Sequence, residues 1–195
     1  MFKIACVGDS LTWGYLVDDR EVNCYPAVLN DLLGEDYVVG NFGVNGHTMM
    51  KSGDAPYWSS ENFKLSTIFE PDIVVIMLGS NDAKQRNFTT IDEYLTDYEA
   101  MINHYRGLGS KPRVYIATPP TVYPDMTGTS TISAENVELM ADAVRTLGKK
   151  LHISVIEVNK KTKGFPQGFV DDGVHTNILG AKLIATTVYR ELTKK

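Results

Sequence analysis

The chain has 195 residues, 43% of them hydrophobic, enough to close one sizeable core with little left for a second, so one domain over residues 1–195 is expected. Its 19 basic and 24 acidic residues leave a net charge of -5, and no block of Lys or Arg is present to attract a phosphate backbone, which argues against a nucleic-acid partner. There is no apolar run long enough to span a bilayer and no charged leader before the first strand-like segment. The expectations are therefore no membrane insertion and a cytoplasmic location, with secretion through a removed signal peptide left open.

In chain order, a β-branched apolar run at 3–7 predicts the first strand. It contains Cys6; with Cys24 this is too few cysteines for a disulfide scaffold, and both are read as reduced, structural thiols. A helical pattern follows at 25–33, then strands at 37–42 and 72–78, a helix at 91–108 and a strand at 113–118. A helix at 133–151, opened by Ser133, a strand at 153–158 and a helix at 176–193 complete the series. No repeat or low-complexity tract interrupts it. Strand and helix alternate, and the run Ile73-Val74-Val75-Ile76-Met77-Leu78 is apolar throughout, as suits a strand buried on both faces. The expected fold is α/β, a parallel five-stranded sheet in the order 2-1-3-4-5 with helices on both faces. In such sheets chemistry gathers beyond the carboxyl ends of the strands, near the reversal of strand order.

The residues just past each predicted strand are therefore the ones to inspect. After the first comes Gly8-Asp9-Ser10-Leu11, a tight turn that exposes a hydroxyl above the sheet and aims backbone N–H groups at an anion; as ordinary loop chemistry, Asp9 and Ser10 would simply cap the next segment. After the second comes Asn41-Phe42-Gly43-Val44-Asn45-Gly46, where the Gly43 N–H is the candidate donor and a plain turn is the alternative. After the third, Gly79-Ser80-Asn81-Asp82 brings the Asn81 carboxamide to the same edge. Together the Ser10 N–H, the Gly43 N–H and Asn81 can form an oxyanion hole.

A base must come from His47, His104, His152 or His175. His104 falls inside a predicted helix and His152 just before the last strand, so both read as packing or surface residues; His47, after the glycine turn, stays open. His175 ends Asp172-Gly173-Val174-His175, directly before the final helix. Residues three apart on a turn face the same side, so Asp172 can hold one ring nitrogen and leave the other for Ser10. Asp171 is the second choice for that role.

These residues resemble the four blocks of the GDSL esterases, or SGNH hydrolases: Gly8-Asp9-Ser10-Leu11, Asn41-Phe42-Gly43, Gly79-Ser80-Asn81-Asp82 and Asp172-Gly173-Val174-His175, all present and in order. The resemblance implies a flavodoxin-like three-layer α/β/α sandwich and ester hydrolysis without metal or cofactor. It assigns the nucleophile to Ser10, the oxyanion hole to Ser10, Gly43 and Asn81, and the relay to Asp172 and His175. Hydrolysis is then expected to fall in acid as His175 takes up a proton. The partner is a small-molecule ester; oligomeric state is not legible. Asp9, Trp13, Tyr57, Trp58 and Tyr123 are the candidates for substrate contact, with Tyr15 and Phe165 the other loop aromatics, aromatic rings being able to stack on sugars or simply to pack. No long apolar insertion suggests a lipase lid, which favours short acyl groups, with O-acetyl on a carbohydrate first. Thioesterase, lysophospholipase and acyltransferase activities, and a non-catalytic small-ligand module, are the alternatives. A flavin or nucleotide binder is disfavoured because Asp9 would repel a phosphate after the first strand.

Overall fold

The computed structural model describes residues 1–194. The elements are β1 (Phe2–Gly8), α1 (Ser10–Trp13), α2 (Arg20–Asn23), α3 (Tyr25–Leu33), β2 (Tyr37–Gly43), α4 (Glu61–Ile68), β3 (Ile73–Met77) and α5 (Ile91–Arg106). They continue with β4 (Arg113–Ala117), α6 (Ala134–Leu151), β5 (Val155–Ile156), α7 (Val158–Thr162) and α8 (Ile178–Leu192). The strands form one parallel sheet in the order β2-β1-β3-β4-β5, as the alternation predicts.

Side chains alternate across a strand, so a sheet covered on both faces splits its apolar residues between two cores. Ala5, Val7, Val74 and Ile76 pack with Tyr94, Tyr98, Tyr105 and Leu147 of α5 and α6. Ile4, Cys6, Val75 and Met77 pack on the other side with Tyr25 and Leu29 of α3 and Ile184 and Val188 of α8. The result is a three-layer α/β/α sandwich. Cys6 and Cys24 are buried and unpaired with each other, and burial pushes the Cys6 thiol up to about 12. Among the described residues no helix is long and apolar enough to cross a membrane.

Helix starts follow local chemistry: the Ser133 side chain accepts from Asn136 N and that of Thr90 from Glu93 N, each filling an orphan donor of the first turn. Two segments depart from the sequence reading. The strand expected at 153–158 is only Val155–Ile156, because Asn159 N donates to Thr118 Oγ1 at 2.9 Å and the chain winds into α7. Residues 61–68, part of which the sequence suggests as loop, form α4, capped by Ser60 but with Leu65 and Ile68 exposed, so it lacks a clean apolar stripe.

What positions the site is strand register. Gly8 lies beside Gly43 on one side and Met77 on the other, so β1, β2 and β3 end level and their turns emerge together.

Candidate active site

Ser10 is the first residue of α1, and Asp9 caps that helix by accepting from Leu11 N at 3.0 Å. The Ser10 Oγ lies 2.9 Å from His175 Nε2, and His175 Nδ1 lies 2.5 Å from Asp172 Oδ2. With Nδ1–H given to the carboxylate, Nε2 is left to accept from the serine hydroxyl. Asp172 Oδ1 also accepts the backbone N–H groups of Val174 and His175, each at 2.9 Å, which fixes the turn on which the ring stands. Burial works against the Asp172 charge, but the His175 ring and these N–H groups outweigh it and hold the carboxyl below the ordinary range. Asp171 gives its backbone oxygen to Met126 N and takes no part in this pairing. The turn requires glycine at 173, where φ is +71° and a Cβ would stand 2.2 Å from the Tyr123 carbonyl oxygen.

Ser10, Asn81 and His175 open onto one cavity of about 700 Å³. Asn81 Nδ2 donates to the His47 carbonyl at 3.1 Å and makes only a long contact of 3.4 Å to Asp9 Oδ2, a hydrogen that a stronger acceptor in the cleft can take over. The glycine in this cavity is Gly46, not Gly43. Gly43 N–H is already taken by the Asn41 side chain at 3.0 Å, and the residue is glycine because a Cβ would lie 2.2 Å from Trp13 N. Gly46 has open space at its Cβ position, and its N–H has no partner among the described residues. The sequence does offer a clue: two glycines stand three apart in that turn, and the register that ends β2 at Gly43 carries only the later one beyond the sheet edge.

The profile of the GDSL-like lipase/acylhydrolase family matches residues 6–183. The chain belongs to this family. It is 32% identical over 205 residues to an acetylxylan esterase of Xylanibacter ruminicola, an alignment covering 95% of this chain and 42% of that protein, so the chain spans less than half of that relative. Its fold is shared with the native M. smegmatis aryl esterase, at TM-score 0.82 and 20% identity with 98% of each chain covered. It is shared too with a carbohydrate acetylesterase family member from Sinorhizobium meliloti, at TM-score 0.80 and 22% identity, covering 98% of this chain and 97% of the other.

In this member of the GDSL-like family, several residues expected at the substrate serve the frame instead. Asp9 is buried under Asn81, and burial pushes its carboxyl up to about 7. Tyr57 is fully buried and donates to the Phe42 carbonyl at 2.7 Å, because the loop after β2 folds back over the core. Trp58 donates Nε1 to Met49 O at 2.9 Å and packs on Phe63. Tyr123 donates to Thr162 O at 2.6 Å and accepts from Phe165 N at 2.7 Å, pinning two loops together. Trp13 faces a separate, smaller cavity. His47 bonds its own neighbour, with Nδ1 at 2.9 Å from Asn45 O, and His104 packs on Phe63 beside Thr67. Both lie outside the cleft.

Apart from Tyr15, the sequence reading missed what does line the cleft. Tyr15 sets its ring edge-on to His175, with centroids 4.9 Å apart. Lys84 contributes a partly buried amine that desolvation holds below its ordinary pKa. The segment Thr127 to Ile132 supplies a wall of hydroxyls. Of the rest, only the Ser/Thr cluster left a trace in composition. Among the described residues no group of three or more His, Cys, Asp or Glu side chains is arranged to hold a metal ion.

Proposed function

We propose that the chain is a serine-dependent carboxylic ester hydrolase that works through an acyl-enzyme on short acyl esters, O-acetyl groups on a carbohydrate above all, within one domain spanning residues 1–195. The observation that carries this reading is the continuous contact Ser10 Oγ to His175 Nε2 at 2.9 Å and His175 Nδ1 to Asp172 Oδ2 at 2.5 Å, opening onto the cavity that Asn81 and Gly46 also line.

In the proposed reaction Ser10 Oγ attacks the ester carbonyl carbon while His175 Nε2 takes the hydroxyl proton, and Asp172 steadies the imidazolium. The carbonyl oxygen becomes an oxyanion held by the N–H groups of Ser10 and Gly46 and by Asn81 Nδ2. His175 passes its proton to the leaving alkoxide, the C–O bond breaks, and the acyl group stays on Ser10 as an ester. Water then attacks that ester, giving its proton to His175. Collapse returns the proton to Ser10 and frees the acid.

Three features support the carbohydrate acetate. Thr127, Thr129, Ser130 and Thr131 line the cleft with groups that can both donate to and accept from sugar hydroxyls. The apolar surface there, from Leu16, Ile132, Val170 and Val174, is a patch suited to a small acyl group. The curated relative is named for acetylxylan.

The test is hydrolysis of p-nitrophenyl acetate, butyrate and octanoate by the wild type, Ser10→Ala and His175→Ala, all shown to be folded. The expected result is a preference for acetate and a loss of roughly 10⁴-fold or more in kcat for each variant. A steep preference for octanoate overturns the short-chain assignment; variants as fast as wild type overturn the mechanism.

A further inference from the structure

Beside the cleft lies a second cavity, of about 320 Å³, lined by Trp13, Gly43, Val44, Asn45 and the start of α4. We propose that it is a glycosyl subsite, taking the sugar unit next to the acetylated one in an oligosaccharide; this rests on the carbohydrate reading above. Asn45 lines both cavities, and Trp13 sits three residues after Ser10 in α1, so a ligand anchored by its ester at Ser10 has its continuation within reach of the second cavity.

Trp13 is held in place before any ligand arrives. Its carbonyl accepts from Arg20 Nη1 at 3.1 Å and from Asn41 Nδ2 at 3.3 Å, and the Arg20 guanidinium lies over the ring, 3.7 Å from its centroid. Arg20 thereby covers the indole ring, while Trp13 also lines the cavity. A ring already ordered costs little to bind against.

The polar groups around it are mainly acceptors and amides. Asn45 is exposed and its carboxamide has no partner among the described residues. Asn62 gives Nδ2 to Gly43 O at 2.8 Å and keeps its oxygen as an acceptor. Glu61 is exposed, with Lys64 Nζ no nearer than 3.7 Å. Ser60 belongs to the frame, since its hydroxyl donates to Tyr57 O at 2.7 Å and accepts from Phe63 N at 3.1 Å. A flat apolar ring edged by acceptors matches a neutral pyranose, whose C–H face stacks while its hydroxyls donate outward. An acyl chain has no use for those acceptors, and Glu61 repels an anion. The volume falls near the lower end of small-ligand sites, roughly 300–1,000 Å³, and suits a single sugar unit.

The experiment compares kcat/KM on p-nitrophenyl acetate and on acetylated xylose, xylobiose and xylotetraose, for wild type, Trp13→Ala, Trp13→Phe and Glu61→Ala. In the wild type, kcat/KM should rise from xylose to xylobiose and then level off. Trp13→Ala should cut that rise about tenfold through KM, as expected for a truncated aromatic anchor, and Trp13→Phe should restore most of it. Glu61→Ala, which does not touch the Ser10 turn, should cut it about threefold. If Trp13→Ala loses as much on acetylated xylose as on xylobiose and Glu61→Ala loses nothing, Trp13 only supports the Ser10 turn and the subsite is overturned. Equal wild-type rates on xylose and xylobiose acetates overturn the subsite while leaving the carbohydrate reading intact. Activity on p-nitrophenyl acetate with none on any acetylated sugar overturns both.

Discussion

The two sides of the cleft are held by different means. On the Asn81 side, the loop that carries Gly46 continues into a stretch whose backbone N–H groups are taken by side chains. Met49 and Met50 donate to Asp82 at 2.9 and 2.7 Å, Lys51 to Asp97 at 2.8 Å, and Asp54 to Asn87 at 3.0 Å. On the His175 side main-chain ties are added to those of the Asp172 carboxylate and the Tyr123 hydroxyl. Tyr123 N donates to Gly173 O and Met126 N to Asp171 O, each at 2.8 Å, and Val170 N donates to His175 O at 2.9 Å. The first arrangement depends on which side chains are present and on their charge. The second rests more on backbone, and the hydroxyls of Thr127, Thr129, Ser130 and Thr131 line the cavity, tied mainly within their own segment and to Asp125. On the proposed mechanism, the clamped side would hold the oxyanion and the hydroxyl-bearing side would meet the substrate, across one cavity.

The largest effect that sharpens this contrast should come from Asn81→Ala, which removes a donor on the clamped side. We expect kcat on p-nitrophenyl acetate to fall by about 10²–10³-fold, with KM moving far less. Asp82→Ala should rank next, because it leaves two buried N–H groups without an acceptor. A loss of about 2–4 kcal/mol in urea unfolding is expected, with a lower kcat as the Gly46 loop loosens; an unchanged denaturation midpoint would break the comparison. Tyr123→Phe tests the other side and should cost about 1–2 kcal/mol, with much less change in kcat, since Gly173 is tied through the Tyr123 backbone.

Two buried carboxyls on the Asn81 side set a fourth, smaller effect. Burial pushes the carboxyls of Asp9 and Asp82 up to about 7 and about 6, above the 3.8 of an unfolded Asp. Between pH 4 and 7 the folded state therefore holds more protons than the unfolded state, and this contribution to stability declines as pH rises through that window. Asp9→Asn should gain on wild type in Tm between pH 5 and pH 8; a gap that stays constant counts against the assignment. The smallest effect is expected of Asp125→Ala. Its half-buried carboxylate accepts from Thr127 N at 2.8 Å and Ser130 N at 2.7 Å and organises the hydroxyl wall, so KM for acetylated xylobiose should rise severalfold with Tm almost unmoved.

The same contrast explains what was legible in the sequence. Strand-helix alternation and continuous apolar runs reflect burial on both faces of a parallel sheet, and they carried the strand order as well as the helix starts at Ser133 and in the chain's last turn before α8. Ser10, Asn81, Asp172 and His175, the residues of the proposed reaction, could be singled out because each stands within a few residues of a strand end or a helix start, where local spacing already limits geometry. Gly43 was expected where Gly46 lines the cavity, because two glycines in one turn are equivalent until the β1–β2 register decides which one lies past the sheet edge. Tyr57, Trp58 and Tyr123 read as substrate contacts because an aromatic in a polar loop carries no mark of whether the loop folds inward. Lys84 and the wall from Thr127 to Ile132 carry no motif at all. Short-range pattern, set by burial and backbone chemistry along a few residues, determined the fold and singled out the groups of the proposed reaction. Which loop side chains face the cleft depends on contacts between segments far apart in the chain, and only the tertiary structure decided that.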